Sequence, residues 1–220
     1  MTAMKQPKIG LLPFYLKLYD DLFPGFRTGF DPFIERITNG FSAHGVEVVA
    51  GPVCHIEAEF TKAVEAFETE QVDAIVTLHL AYSPSLESIK VFCQTRLPLI
   101  VLDTTMDVDF GLEAKADRIM YNHGVHGVMD FACMLRRHSR PFEIVAGHDS
   151  DPTLLERATL LVRAALARRE FLGTKALRVA PAFKGMGDFA VEEAYLRERF
   201  GITVNEVDIQ ALDQAVEAVD

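Results

Sequence analysis

Short apolar runs recur along this chain, and the stretches between them have the length and periodicity of helices. "KIGLLPF", "VEVVAGP", "VDAIVTLHL", "LPLIVLDT" and "FEIVAGH" read as strands. Among the intervening stretches, "DPFIERITNGFSAHG" offers Asp31 as a cap, Pro32 in the first turn and Gly45 as a stop. "EAEFTKAVEAFETEQ" sets Phe60, Val64 and Phe67 on one helical face, "SPSLESIKVFCQTR" reads as a further helix, and another runs from about Gly124 to Arg137. Crossovers of this length bring each strand back parallel to the last. The fold class is therefore α/β, a doubly wound parallel sheet.

The long helix "DPTLLERATLLVRAALARREFLG" closes this pattern at Gly173, and a second α/β unit starts behind it. "KALRVAP" and "ITVNEVDI" read as its strands, "DFAVEEAYLRERFG" and "QALDQAVEAVD" as its helices. The expected domains are residues 1–173, an N-terminal α/β domain, and residues 174–220, the start of another. Two strands and two helices make a poor sheet alone. Either this unit extends the first sheet or the protein is longer; the expectation is a longer protein, with apolar surface exposed after Gly173 until a following domain or a partner subunit covers it.

Charge narrows the partners. Lys and Arg number 22 against 32 Asp and Glu, a balance of −10, and no extended basic run interrupts it. Nucleic acid and anionic membrane are disfavoured. Three scattered cysteines, Cys54, Cys93 and Cys133, imply neither a disulfide framework nor a zinc site. The first twenty residues lack a signal-peptide pattern and no run reaches membrane-spanning length, so a soluble, cytoplasmic protein is expected. Neither GxGxxG after the first strand nor GxxxxGK[ST] is present.

Ligands of open parallel sheets bind outside the carboxyl ends of the strands. There the sequence places Tyr15, Lys17 and Tyr19; His79 and Tyr82; Asp103, Thr104 and Thr105; and Asn122, His123 and His126. Hydroxyl, imidazole and aromatic groups together suit a polyhydroxylated small molecule. Polar residues also gather at strand ends in any α/β protein. "YNHGVHG" sets two histidines three apart, a spacing that would serve a metal if both shared a helical face, but it lacks the carboxylate of HExxH. His123 at the start of the helix fits hydrogen bonding better, and His126 fits a structural role equally well. His55 and His148 follow strands and read as lining or solvated, His44 and His138 as helix-end residues, and Asp107 and Asp109 as solvent-facing.

The order of "LLPFYLKLYD", "VTLHLAYSPSLESI", "LPLIVLDTT", "NHGVHGVMDF" and "RVAPAFKGMGDFAV" resembles the N-terminal and early central regions of the L-arabinose isomerase and L-fucose isomerase superfamily. "HLAYSP" is similar to a His-Thr-Phe-Ser-Pro segment there, with Tyr82 where the aromatic stands. His123-Gly124 is similar to the family's His-Gly, and Gly185-Met186 to its Asn-Met loop. The resemblance implies metal-assisted aldose–ketose isomerisation through an enediol, with Mn²⁺ as cofactor. It also implies a cytoplasmic homo-oligomer whose sites are shared between subunits, with a small-molecule sugar as substrate. Tyr82 would pack on the sugar, His123 would hydrogen-bond a hydroxyl, and Met186 would lie near the same pocket. His79 and Lys17 are the other candidate substrate contacts. The family's catalytic glutamates and metal ligands lie downstream of Asp220, so no catalytic residue and no metal ligand is assigned in this sequence.

Two positions depart from the arabinose-isomerase pattern. Leu16 stands in place of a glutamine and Asp103 in place of a histidine, so the resemblance does not fix L-arabinose as the sugar. A fucose-isomerase-like or another sugar isomerase fits as well. A non-catalytic sugar-binding or regulatory module stays open, as does a stand-alone enzyme with a metal at His123 and His126.

Overall fold

The computed structural model of the chain describes residues 5–109, 111–189 and 191–219. The chain divides into two compact units, residues 1–166 and 167–220. The first holds a five-stranded parallel sheet of β1 (Lys8–Phe14), β2 (Glu47–Ala50), β3 (Ala74–His79), β4 (Leu99–Asp103) and β5 (Glu143–Ala146), in the order β2-β1-β3-β4-β5. The doubly wound sheet read from the sequence is thus present. Central strands buried on both faces must be apolar throughout. Accordingly β3 is buried along its whole length and β1 from Ile9 on, whereas the edge strands β2 and β5 are largely exposed.

Helices cover both faces. Phe33, Ile37 and Phe41 of α2 (Asp31–Ala43) and Leu154, Leu155, Ala158 and Val162 of α7 (Pro152–Phe171) share one core with Leu11, Val76, Leu78 and Leu102. On the other face, α3 (Glu57–Thr69), α4 (Ile89–Gln94) and α6 (Gly124–Arg137) bring Phe60, Phe67, Phe92 and Phe131 against Leu12, Phe14, Ile75 and Val101. Phe14 is the hub of that second core. Its ring centroid lies 4.5 Å from Phe60, 5.2 Å from Phe131 and 5.7 Å from Phe92.

Several local expectations are corrected. Asp31 does not cap α2, because a 3-10 turn at Phe26–Phe30 runs straight into the helix and Phe30 is already helical. "SPSLESIKVFCQTR" is not one helix. A 3-10 turn at Ser85–Glu87 precedes α4, and the Ser88 hydroxyl turns back to the Ser85 carbonyl oxygen at the break. Lys17–Leu22, read only as a strand exit, forms α1, and Ile119–Asn122 forms α5 directly before α6.

The second unit pairs β6 (Lys175–Val179) in parallel with β7 (Thr203–Val207), with α8 (Glu193–Phe200) and α9 (Ile209–Glu217). Within the stretches expected as the last two helices, Ala190 and Asp220 lie outside the described residues. Leu177, Phe183, Phe189, Tyr195 and Leu212 are exposed in this unit.

Phe131→Ala should lower the unfolding free energy by about 3–5 kcal/mol, the cost of emptying a closed aromatic site. Leu160→Ala, on the exposed side of α7, should cost below about 0.5 kcal/mol. Urea titration of both variants checks the contrast.

Candidate functional site

In the order β2-β1-β3-β4-β5 the chain reverses direction across the sheet between β1 and β3, which opens a crevice at their carboxyl ends. Register fills that edge with one row of side chains. Phe14 bridges to Cys54 and pairs with His79, Leu78 pairs with Leu102, and Asp103 pairs with Ala146. Asp103 is therefore the next residue in register beside His79, on the same face of the sheet.

His79 is only 2% exposed. Its Nδ1 shares a 2.9 Å hydrogen bond with Ser83 Oγ, its ring lies 4.5 Å from Phe14, and its buried Nε2 has no partner among the described residues. Burial pushes its pKa down to about 3, so the ring is neutral. His79, a candidate substrate contact from its place at the strand exit, is thus buried at the end of β3. Asp103 beside it is half-buried, and burial raises its carboxyl above the ordinary range. The Tyr15 and Thr104 hydroxyls are also buried without partners among the described residues.

The glycines of "HGVHG" explain the burial. A Cβ on Gly124 would stand 2.1 Å from the His79 carbonyl oxygen, and one on Gly127 would stand 2.5 Å from Ser83 Oγ. Spaced three apart, both face the end of β3, and α6 rests its backbone there. The spacing is a packing device. The histidines flank it. His123 ends α5 and stacks on Tyr19 at 5.8 Å, with its Nε2 3.1 Å from the Tyr19 hydroxyl. Burial, then the neighbouring His126, hold its pKa below the ordinary imidazole value. His126 is exposed, with Nδ1 3.3 Å from the His123 carbonyl oxygen. Among the described residues no group of three or more His, Cys, Asp or Glu could hold a metal ion.

Other candidates lie further out. Tyr82 is 36% exposed, beyond the end of β3, and presents its ring to solvent. Lys17 points outward and pairs with Asp21 at 3.0 Å. Met186 belongs to the second unit, in the turn between β6 and α8, where it is exposed. Asn122 is committed to the loop after β4. It donates to Asp107 Oδ2 at 2.7 Å and accepts the Asp107 backbone N–H at 2.8 Å. Arg118 grips Asp107 with two nitrogens, which together with Asn122 hold this carboxyl below the usual range. An open cleft of about 1030 Å³ runs along that loop between Arg36, Met106, Leu112, Lys115 and His148.

Sequence reading missed the partners. Tyr19 and His123 stand 104 residues apart. His55, read as lining or solvated, lies between two carboxylates, with Nε2 2.9 Å from Asp20 and Nδ1 3.0 Å from Glu59. Burial would raise the Glu59 carboxyl, but the backbone N–H and ring of His55 hold it below its ordinary value. These contacts tie α1 to the start of α3. The spacing of "CHIEAE" carries the His55–Glu59 half of that signal and nothing of Asp20.

A family model described as the L-arabinose isomerase N-terminal domain matches residues 34–173. The L-arabinose isomerase of Mycolicibacterium smegmatis is 30% identical over 156 residues, covering 69% of this chain and 30% of that protein. That of Nocardioides sp. is 26% identical, covering 79% of this chain and 35% of its own. For Geobacillus thermodenitrificans the values are 28%, 71% and 32%. The chain thus spans about a third of the length of the curated relatives it matches.

Gly124→Ala should unfold the first unit or cost it at least about 3 kcal/mol, because the added methyl meets backbone oxygen rather than a movable side chain. Chemical denaturation measures this. His79 sets a pH dependence of known sign. Its folded pKa is depressed, so its contribution is complete above about pH 6.5 and is lost as pH falls towards about 3. Between pH 7.5 and pH 5.5, wild-type stability should fall by about 1 kcal/mol more than that of His79→Gln. Equal slopes in the two proteins would refute a neutral buried His79.

Proposed function

The chain belongs to the L-arabinose isomerase N-terminal domain family, and on that premise we propose that it forms the sugar-site-lining part of an aldose–ketose isomerase. The reaction is the interconversion of an aldose and a ketose by hydrogen movement between C1 and C2 through an enediol. Residues 1–173 are the N-terminal domain in this reading, and residues 174–220 open a second α/β domain. The working protein is a cytoplasmic homo-oligomer in which this domain lines the site of a neighbouring subunit.

The observation that carries the reading is where the family match falls. Residues 34–173 take in the ends of β2 to β5 and the start of α6, which border the switch-point crevice. Tyr82 supplies an exposed ring for the carbon face of a sugar. His123 has its Nε2 occupied by the Tyr19 hydroxyl, so its Nδ1 is the nitrogen that meets a sugar hydroxyl. Held neutral, the ring can donate or accept there. Met186, exposed in the second unit, is a further candidate sugar contact in this reading. His79, buried under α6, shapes the floor, and Lys17 on the outer rim offers its ammonium as a hydrogen-bond donor to a sugar hydroxyl. In this reading Mn²⁺ is the cofactor and its ligands come from residues outside this sequence.

The test is an isomerase assay on a panel of aldoses with added Mn²⁺, on the protein as its own organism produces it, together with its intact mass. Turnover of at least one aldose supports the proposal. Sugar binding without turnover would replace it with a binding module. In the active protein, His123→Ala should raise KM or lower kcat about tenfold, the worth of one hydrogen bond, with bound Mn²⁺ unchanged. Full activity in that variant would remove His123 from the site.

A further inference from the structure

The opposite edge of the sheet holds a polar feature of a different kind. The connections from α4 to β4 and from α6 to β5 run side by side there, joined by Arg140. Its Nε donates to the Phe92 carbonyl oxygen at 2.6 Å, its Nη2 to that of Leu97 at 2.5 Å and its Nη1 to that of Pro141 at 3.0 Å. Together the last turn of α6 and the two connections carry Arg96, Arg136, Arg137, His138 and Arg140. No Asp or Glu stands between Val91 and Leu102 or between Phe131 and Phe142.

In a chain of net charge −10 this concentration of uncompensated cations is unusual. Arg96, Arg136 and Arg137 are exposed, and their side chains make no ion pair or hydrogen bond among the described residues. Two carboxylates adjoin, and neither is paired with these guanidinium groups: Glu68 accepts the Thr95 hydroxyl, and Glu143 begins β5. Arg136 and Arg137 sit in the last turn of α6, where cations offset the carbonyl end of the helix dipole. That role covers neither Arg96 nor the half-buried Arg140, which spends its donors on neutral carbonyls.

Beside Arg136 and Arg140 lies a hollow of about 280 Å³, lined by these two with Ser139, Pro141 and Phe142. Ser139 sits at the residue that turns the chain out of α6, with φ +53, while the Arg140 N–H bonds back to the Leu135 carbonyl oxygen at 2.9 Å. Glycine is the cheapest residue at such a left-handed position. Here a serine keeps a hydroxyl on the hollow, unpartnered among the described residues.

We propose that this hollow is an anion site that takes the phosphate group of a small phosphorylated metabolite. Guanidinium groups match phosphate oxygens in charge and planar geometry. The hollow holds a phosphate with a short carbon skeleton, at the small end of ligand pockets. It lies at the amino ends of β4 and β5, whereas the sugar row lies at the carboxyl ends, so the two ligands do not compete. The proposal does not depend on the isomerase reading.

The test is amide NMR and calorimetric titration of the chain with inorganic phosphate and with glycerol 3-phosphate, with chloride at matched ionic strength as control. Saturable shifts at Leu97, Ser139 and Arg140, in the low millimolar range typical of one small anion, are the expected result. Arg136→Gln should weaken binding about tenfold, and Arg163→Gln, on the exposed face of α7, should leave it unchanged. Ser139→Gly should melt higher than the parent, since it relieves the left-handed φ, yet bind more weakly. Shifts that never saturate, shifts that chloride reproduces, or unchanged affinity in Arg136→Gln would each overturn the site.

Discussion

The close approach of the α6 backbone to the carbonyl end of β3 sets most of what lies at the working edge of the first unit. Gly124 and Gly127 leave no side chain between helix and strand. The helix therefore sits low enough to bury His79, to place Phe131 against Phe14 and to carry His123 over to Tyr19. A helix raised by one methyl would lose the aromatic core on that face and the histidine pair above it together. Packing and site geometry are one constraint here.

The two edges of the sheet are built on opposite electrostatic rules. At the carboxyl edge polar groups are desolvated or matched with care. His79 is kept neutral, Asp103 is shifted towards its neutral form, His55 is set between two carboxylates, and Asp107 is held in an Arg118–Asn122 frame. At the amino edge of β4 and β5 the charges are left open, with guanidinium groups and no acid in either connection. Desolvated neutral donors and acceptors suit an uncharged polyol, which must exchange its water for well-placed hydrogen bonds. Open cations suit an anion that brings its own charge.

The fold was legible because its central strands had to be continuous apolar runs and its helices had to be stripes. β1 and α6 were read at the bounds the structure gives them, and the helix face of Phe60, Val64 and Phe67 is buried as the spacing required. What was illegible had no local period. α1 is six residues long and buries none of them, so no stripe announces it. The break at Ser88 depends on a hydroxyl choosing a backbone oxygen. In the candidate site, the strand-exit rule pointed to the carboxyl edge of the sheet, where His79, Asp103 and Thr104 stand. It could not rank them, because burial decides the rank. His79 and Tyr82 lie three residues apart, yet one is sealed and the other open. The glycines of "HGVHG" were visible throughout, but their purpose is a contact with a strand more than forty residues upstream.

The strand order has a consequence for biosynthesis. β1 is made first but lies inside the sheet, between β2 and β3, and Phe14 at its end waits for Phe60, Phe92 and finally Phe131. At ribosomal speeds of about 5–20 residues per second, that is on the order of ten seconds during which the aromatic cluster around Phe14 is incomplete. The folded unit can be sound at equilibrium and still depend, while it is being made, on a holdase that recognises "KIGLLPF".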